Sequence, residues 1–157
     1  MGHEAAAAAK AIKANLAARS ALVTIVTATI AGSSRAQFYG ESAPQDAVEP
    51  YVVFRQRSPG VDSQVINPKR VMTSPLVDVG IWVADDPYSA TAQSGGKQID
   101  VALGSLGSYS VTDANGDIWE VSARREGGAW IREEYDKETK KRFYWAGGSY
   151  RFSISAA

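Results

Sequence analysis

The residues able to do chemistry are few in this chain. Cysteine is absent, which removes disulfides, thiolate metal sites, Cys nucleophiles and redox motifs. The sole histidine, His3, stands beside the N-terminus, where a general base would lack a fixed position. Ser-His catalysis and His-rich metal sites are therefore excluded. Carboxylates cluster at Asp85-Asp86 and at Glu133-Glu134-Tyr135-Asp136. Paired carboxylates could bind a hard cation or hydrolyse a glycoside. The simpler readings are a helix cap at Asp86 and a solubilising hairpin tip over Glu133 to Lys141, where the charges alternate in sign.

Ser94-Gly95-Gly96-Lys97-Gln98 has the look of a phosphate loop. It fails the motif, because Gln98 stands where a Mg-binding hydroxyl belongs and the glycines fall inside a helical pattern. Arg55, Arg57, Lys69 and Arg70 bracket one loop, and Arg124, Arg125 and Arg132 form a second candidate set. Such arginines contact phosphates or pair with carboxylates of a neighbouring subunit. Lys+Arg and Asp+Glu both count 17, so protein contacts are favoured over nucleic acid. Trp82, Trp119, Trp130 and Trp145 all fall on expected strands. They read as core or subunit interface in preference to an aromatic platform for single strands or sugars.

The elements that hold these residues follow from periodicity. At 157 residues one domain is expected, with residues 1–4 a flexible tail. Glu4 to Leu16 is alanine-rich and helical, with a stripe at Ala5, Ala8, Ala9, Ile12 and Leu16. Val23, Val26 and Ile30 continue that spacing to a C-cap at Gly32. Ala21 to Ala31 is roughly half of the ~20 residues that cross a bilayer, and no secretory signal is visible, so a soluble intracellular protein is expected. Gln37-Phe38-Tyr39 is a very short strand, and Pro50 opens a strand that runs to Arg57. Ser58 to Lys69 reads as a long loop. Arg70 to Ala84 is the strongest strand, with Val77, Val79, Ile81 and Val83 on one face and Pro75 marking an edge or bulge.

Asp86-Pro87 then opens a helix to Gly107, with Tyr88, Ala92, Ile99, Ala102, Leu103 and Leu106 on one face. Gly95-Gly96 would let it approach the sheet closely. Tyr109 to Thr112 and Ile118 to Arg124 form a hairpin across Asn115-Gly116. Gly127-Gly128 reads as a break, after which Trp130 to Tyr135 pairs with Arg142 to Ser155. The order predicts an α+β fold, a mainly antiparallel sheet packed by an N-terminal helix and one central helix.

Phe38-Tyr39, Ala43-Pro44-Gln45 and Pro50 to Phe54, placed after an N-terminal helix, carry a resemblance. So do Val79 to Ala84, Asp86-Pro87-Tyr88, Ile99 to Leu103 and the Arg- and aromatic-rich Arg142 to Ile154. From about Leu22 onward the chain resembles the tail-completion proteins of tailed bacteriophages, also called tail terminators or tail-to-head joining proteins. The threonine-rich Leu22 to Ile30 and the long Ser58 to Lys69 loop depart from that pattern. The resemblance implies a non-enzymatic virion subunit, without cofactor or membrane, present in host cytoplasm during assembly. It implies a ring, usually a hexamer, on the head-proximal end of the tail tube. The ring would meet the tube protein on one face and the neck or connector protein on the other, with genomic DNA passing through its lumen. Candidate contacts between subunits or rings are Arg55, Arg57, Asp62, Gln64, Lys69, Arg70, Glu133, Glu134, Lys140 and Arg142. The alternative is a neutral single-domain module that binds nucleic acid or a small ligand.

Overall fold

A computed structural model describes residues 3–58, 62–64, 71–85 and 89–157. Two helices open the chain, α1 (His3–Ala17) and α2 (Ser20–Val26), followed by a β1–β2 ribbon (Thr27–Ile30 and Ser33–Ala36). The main sheet contains β3 (Phe38–Gly40), β4 (Tyr51–Ser58), β5 (Asp62–Gln64), β6 (Val71–Thr73) and β7 (Leu76–Ala84). After α3 (Ala90–Leu103) it is completed by β8 (Ser105–Thr112), β9 (Ile118–Asp136) and β10 (Lys141–Ala156). This is an α+β fold. β3 pairs with β4 in parallel, and the other pairings among the described residues are antiparallel.

β6 and β7 lie end to end along β10 in one register, with Thr73 opposite Ile154 and Leu76 opposite Arg151. The strand expected over Arg70 to Ala84 is thus one line interrupted at Ser74-Pro75. Proline cannot donate there, but the Pro75 carbonyl still accepts from Phe152 N–H at 2.9 Å. β4 and β5 run along the other side of that line. The lateral order is β3, β4 with β5, β7 with β6, β10, β9, β8. The interval expected as one loop therefore contains a strand, and Ser58 belongs to β4. Lys69, Arg70 and the Asp86-Pro87-Tyr88 helix start lie outside the described residues.

The core forms between the helices and one sheet face. Val77, Val79, Ile81 and Val83 alternate into it from β7, joined by Tyr150, Phe152 and Ile154 of β10. α1 buries Ala7, Ala8, Ala11, Ile12 and Leu16, so its stripe is rotated from the expected one and leaves Ala5 and Ala9 only partly covered. His3 and Glu4, expected in a tail, are the first residues of α1. In α3, Ala92, Gly95, Ile99 and Leu103 are buried. An added Cβ at Gly95 would stand 2.5 Å from Ile81 Cδ1, which gives the expected close approach its partner.

Three boundaries differ from the sequence expectation. Thr27 to Ile30 is a strand, because β-branched Thr27, Thr29 and Ile30 resist continuing α2, and Ala31 (φ 51°) and Gly32 (φ 80°) form a two-residue hairpin turn. Gly32 is a turn residue, not a C-cap. α3 stops at Leu103, and Leu106 reaches the core from β8, where it faces Ala123. Gly127-Gly128 is not a break. β9 runs through it, and Gly127 to Ala129 bulge out opposite Gly148 while the pairing resumes on both sides.

Candidate functional site

The chemically capable side chains are held in structural work. His3 Nδ1 stands 3.3 Å from Asp113 Oδ2. Asp113 organises the Asn115-Gly116 turn, accepting from the backbone N–H groups of Asn115 and Asp117 and from the Trp119 indole. The indole donor, with those backbone donors and nearby His3, holds its carboxyl below the ordinary aspartate value. Asp136 does the same for the β9–β10 turn, accepting from Thr139 Oγ1 at 2.6 Å and Glu138 N–H at 2.9 Å. The Thr139 hydroxyl and these backbone bonds lower its pKa. Glu133 and Glu134 point to opposite faces of β9, so the acidic run does not converge. Among the described residues, no group of three or more His, Asp or Glu side chains is placed to hold a metal ion. The Ser94 to Gln98 segment lies inside α3, where Gln98 accepts from Arg19 at 3.0 Å.

The candidate contact residues separate into two groups. Arg55 and Arg57 lie near the end of β4, where Arg55 is level with Asp78 of β7 and Ser149 of β10. Arg55 Nε donates to the Glu41 carbonyl at 3.2 Å, and Arg57 Nε is 3.8 Å from Asp78. Glu133, Glu134, Lys140 and Arg142 lie on the projecting β9–β10 hairpin, where Arg142 pairs with Glu133 at 3.1 Å. The six residue steps from Asp78 to Ala84 separate the groups by roughly 20 Å along the strands. Asp62 and Gln64 stand on β5, beside the first group. The expected set of Arg124, Arg125 and Arg132 does not form. Arg125 turns to the helix side and pairs with Asp100 at 3.1 Å, while Arg132 lies over the rings of Trp130 and Trp145. Asp100 also accepts from Tyr150, whose hydroxyl is pushed far above its ordinary pKa by burial and then by that carboxylate.

The sheet face without helices carries a feature that the linear sequence concealed. Tyr51, Trp82, Trp145 and Arg132 are directly opposite one another on four neighbouring strands. Trp82 and Trp145 stack at 5.5 Å, Trp130 tilts against Trp145 at 4.3 Å, and Tyr39 meets Tyr51 edge-on at 6.0 Å. Gly80 and Gly147 face each other beneath the indoles, and a Cβ at Gly80 would collide with Trp145 and Trp130. Only Trp119 of the four tryptophans joins the helix-side core. Because Trp82 and Trp145 spend their faces on each other, the row is poorly suited to stacking bases. It acts as a cross-strand brace.

Gln37 was not singled out by its sequence context. It is fully buried immediately before β3. Its Oε1 accepts from Val48 N–H at 3.0 Å and Tyr39 OH at 3.1 Å, and its Nε2 donates to the Val48 carbonyl at 2.5 Å. One amide thus fixes the 41–50 segment beside β3. Nothing in the local sequence distinguishes it from an ordinary polar residue between Ala36 and Phe38.

No protein-family model matches the sequence, and no curated protein matches it. Among solved structures, the chain is similar to one in the "Virion of native gene transfer agent (GTA) particle". The match covers 99% of each chain at 17% sequence identity, with a TM-score of 0.54. At that identity the likeness establishes a shared fold.

Proposed function

We propose that this chain is a structural subunit of a phage-like virion that forms a ring, most simply a hexamer, at the head-proximal end of a tail tube. The ring ends tube growth and joins the tail to the capsid neck. The observation that carries this reading is the end-to-end likeness of fold to a chain of a gene transfer agent virion. The geometry is compatible with it. Residues on two separate parts of one sheet suit a heterologous contact, in which unlike surfaces of successive copies meet and a ring closes. In this role the mechanism is geometric and needs no catalytic group. One ring face matches the tube protein, the other matches the neck protein, and DNA passes through the lumen without sequence-specific contact.

Arg55, Arg57, Asp62 and Gln64 on β4 and β5, and Glu133, Glu134, Lys140 and Arg142 on the β9–β10 hairpin, are the proposed contacts between subunits or rings, together with Lys69 and Arg70, which lie outside the described residues. Deletion of residues 60–67 tests this assignment. A folded monomer that cannot cap tubes supports it, and normal tail attachment refutes it. The competing module for nucleic acid predicts a monomer whose DNA affinity falls steeply with salt.

A further inference from the structure

Gln37 presents an energetic puzzle with a functional answer. A fully buried amide is costly to place, yet here both its ends serve the backbone of one residue, Val48. Val48 itself is 47% exposed. The fold therefore uses a buried polar group to fix an apolar side chain that points into solvent. A knob held in one orientation loses little entropy when it docks. The 41–50 segment around it carries Glu41, Asp46 and Glu49 and no Lys or Arg.

A matching recess lies at the opposite border of the same sheet. The β9 bulge at Gly127 to Ala129 opens a cleft of about 270 Å³ between α3 and β9. Ala129 and Ile131 give it an apolar wall, and Lys97, Arg125 and Asp100 give it a net positive charge. Ile131 is 48% exposed. β8 ends its pairing at Arg124, so β9 from Trp130 to Asp136 has no strand on this side among the described residues.

From these two borders we infer that Val48 of one copy docks in the α3–β9 cleft of the next, with Asp46 and Glu49 facing Lys97 and Arg125. The occupant is a second copy because the acidic knob and the basic cleft belong to the same chain at opposite ends of one sheet. That arrangement gives a head-to-tail contact. The inference rests on the ring reading above and names the surfaces that close it.

The absence of cysteine makes the test direct. Val48→Cys and Ala129→Cys together should give, under oxidation or with a short bismaleimide, a ladder of multimers on a non-reducing gel. Neither single variant should give one. Val48→Arg should weaken self-association by on the order of tenfold or more, measured by native mass spectrometry, with its melting unchanged because the side chain is exposed. Lys97→Glu should cause a smaller, salt-dependent loss that Glu49→Lys restores. Wild-type assembly without the 48–129 cross-link, or undiminished assembly of Val48→Arg, overturns the contact alone. A wild-type chain that stays monomeric, with and without tubes, overturns the ring reading and the contact with it.

Discussion

Gly95→Ala separates helix propensity from packing at a single position. Alanine in a helix interior is favoured over glycine by about 1 kcal/mol. Against that gain, the new methyl would stand 2.5 Å from Ile81 Cδ1 and 3.0 Å from Ile81 Cγ2, in a core where Ile81 is fully buried. Overpacking of this kind costs about 1–3 kcal/mol. The net expectation is a loss of about 1 kcal/mol, or roughly 2–4 °C in Tm for a chain of this size. Gly96 is the internal control, because it lies in the same helix and its nearest neighbour would be Ala146 Cβ at 3.4 Å. Gly96→Ala should therefore stabilise by about 0.5–1 kcal/mol. Ile81→Val removes Cδ1 and leaves the 3.0 Å approach to Cγ2, so in that background Gly95→Ala should lose most of its cost. The double-mutant cycle, measured by urea denaturation, should show a coupling of about 1–3 kcal/mol. Equal effects of Gly95→Ala in both backgrounds would refute the packing argument.

Other expectations follow from the same contacts. Gln37→Leu leaves the N–H and carbonyl of Val48 without this partner and should cost about 2–3 kcal/mol, read by chemical denaturation. Asp113 has a depressed folded-state pKa, so its contribution is present above the ordinary aspartate value and is lost as pH falls through the lower folded value. Stability measured from pH 6 down to pH 2 should fall through that window, and Asp113→Asn should flatten the curve. Glu133→Ala and Arg142→Ala break an exposed pair, so melting should change by no more than about 0.5 kcal/mol while tube capping is impaired.

Much of the fold was legible because local and tertiary preferences agree. Alternation from Val77 to Val83 locates β7, the alanine run locates α1, and Asn115-Gly116 locates a hairpin turn. The misreadings occur where those preferences diverge. Val23, Val26 and Ile30 keep helical spacing, yet threonines and an Ala31-Gly32 turn place the last of them on a strand. Gly127-Gly128 resembles a break, but a bulge absorbs it because the long β10 partner holds both halves in pairing. The proposed contact residues rest on sequence, and of them the structure places Arg55 and Arg57 near the end of β4, Asp62 and Gln64 on β5, and Glu133, Glu134, Lys140 and Arg142 on the β9–β10 hairpin. Val48, the α3–β9 cleft and the Tyr-Trp-Arg row could not be read from spacing. Each depends on registers between strands far apart in sequence.

Electron microscopy of the purified protein, alone and mixed with tail tubes, tests the central claim most directly. The account predicts closed rings and tubes capped at one end by such a ring. Monodisperse monomers under every condition, with tube ends left bare, would contradict it.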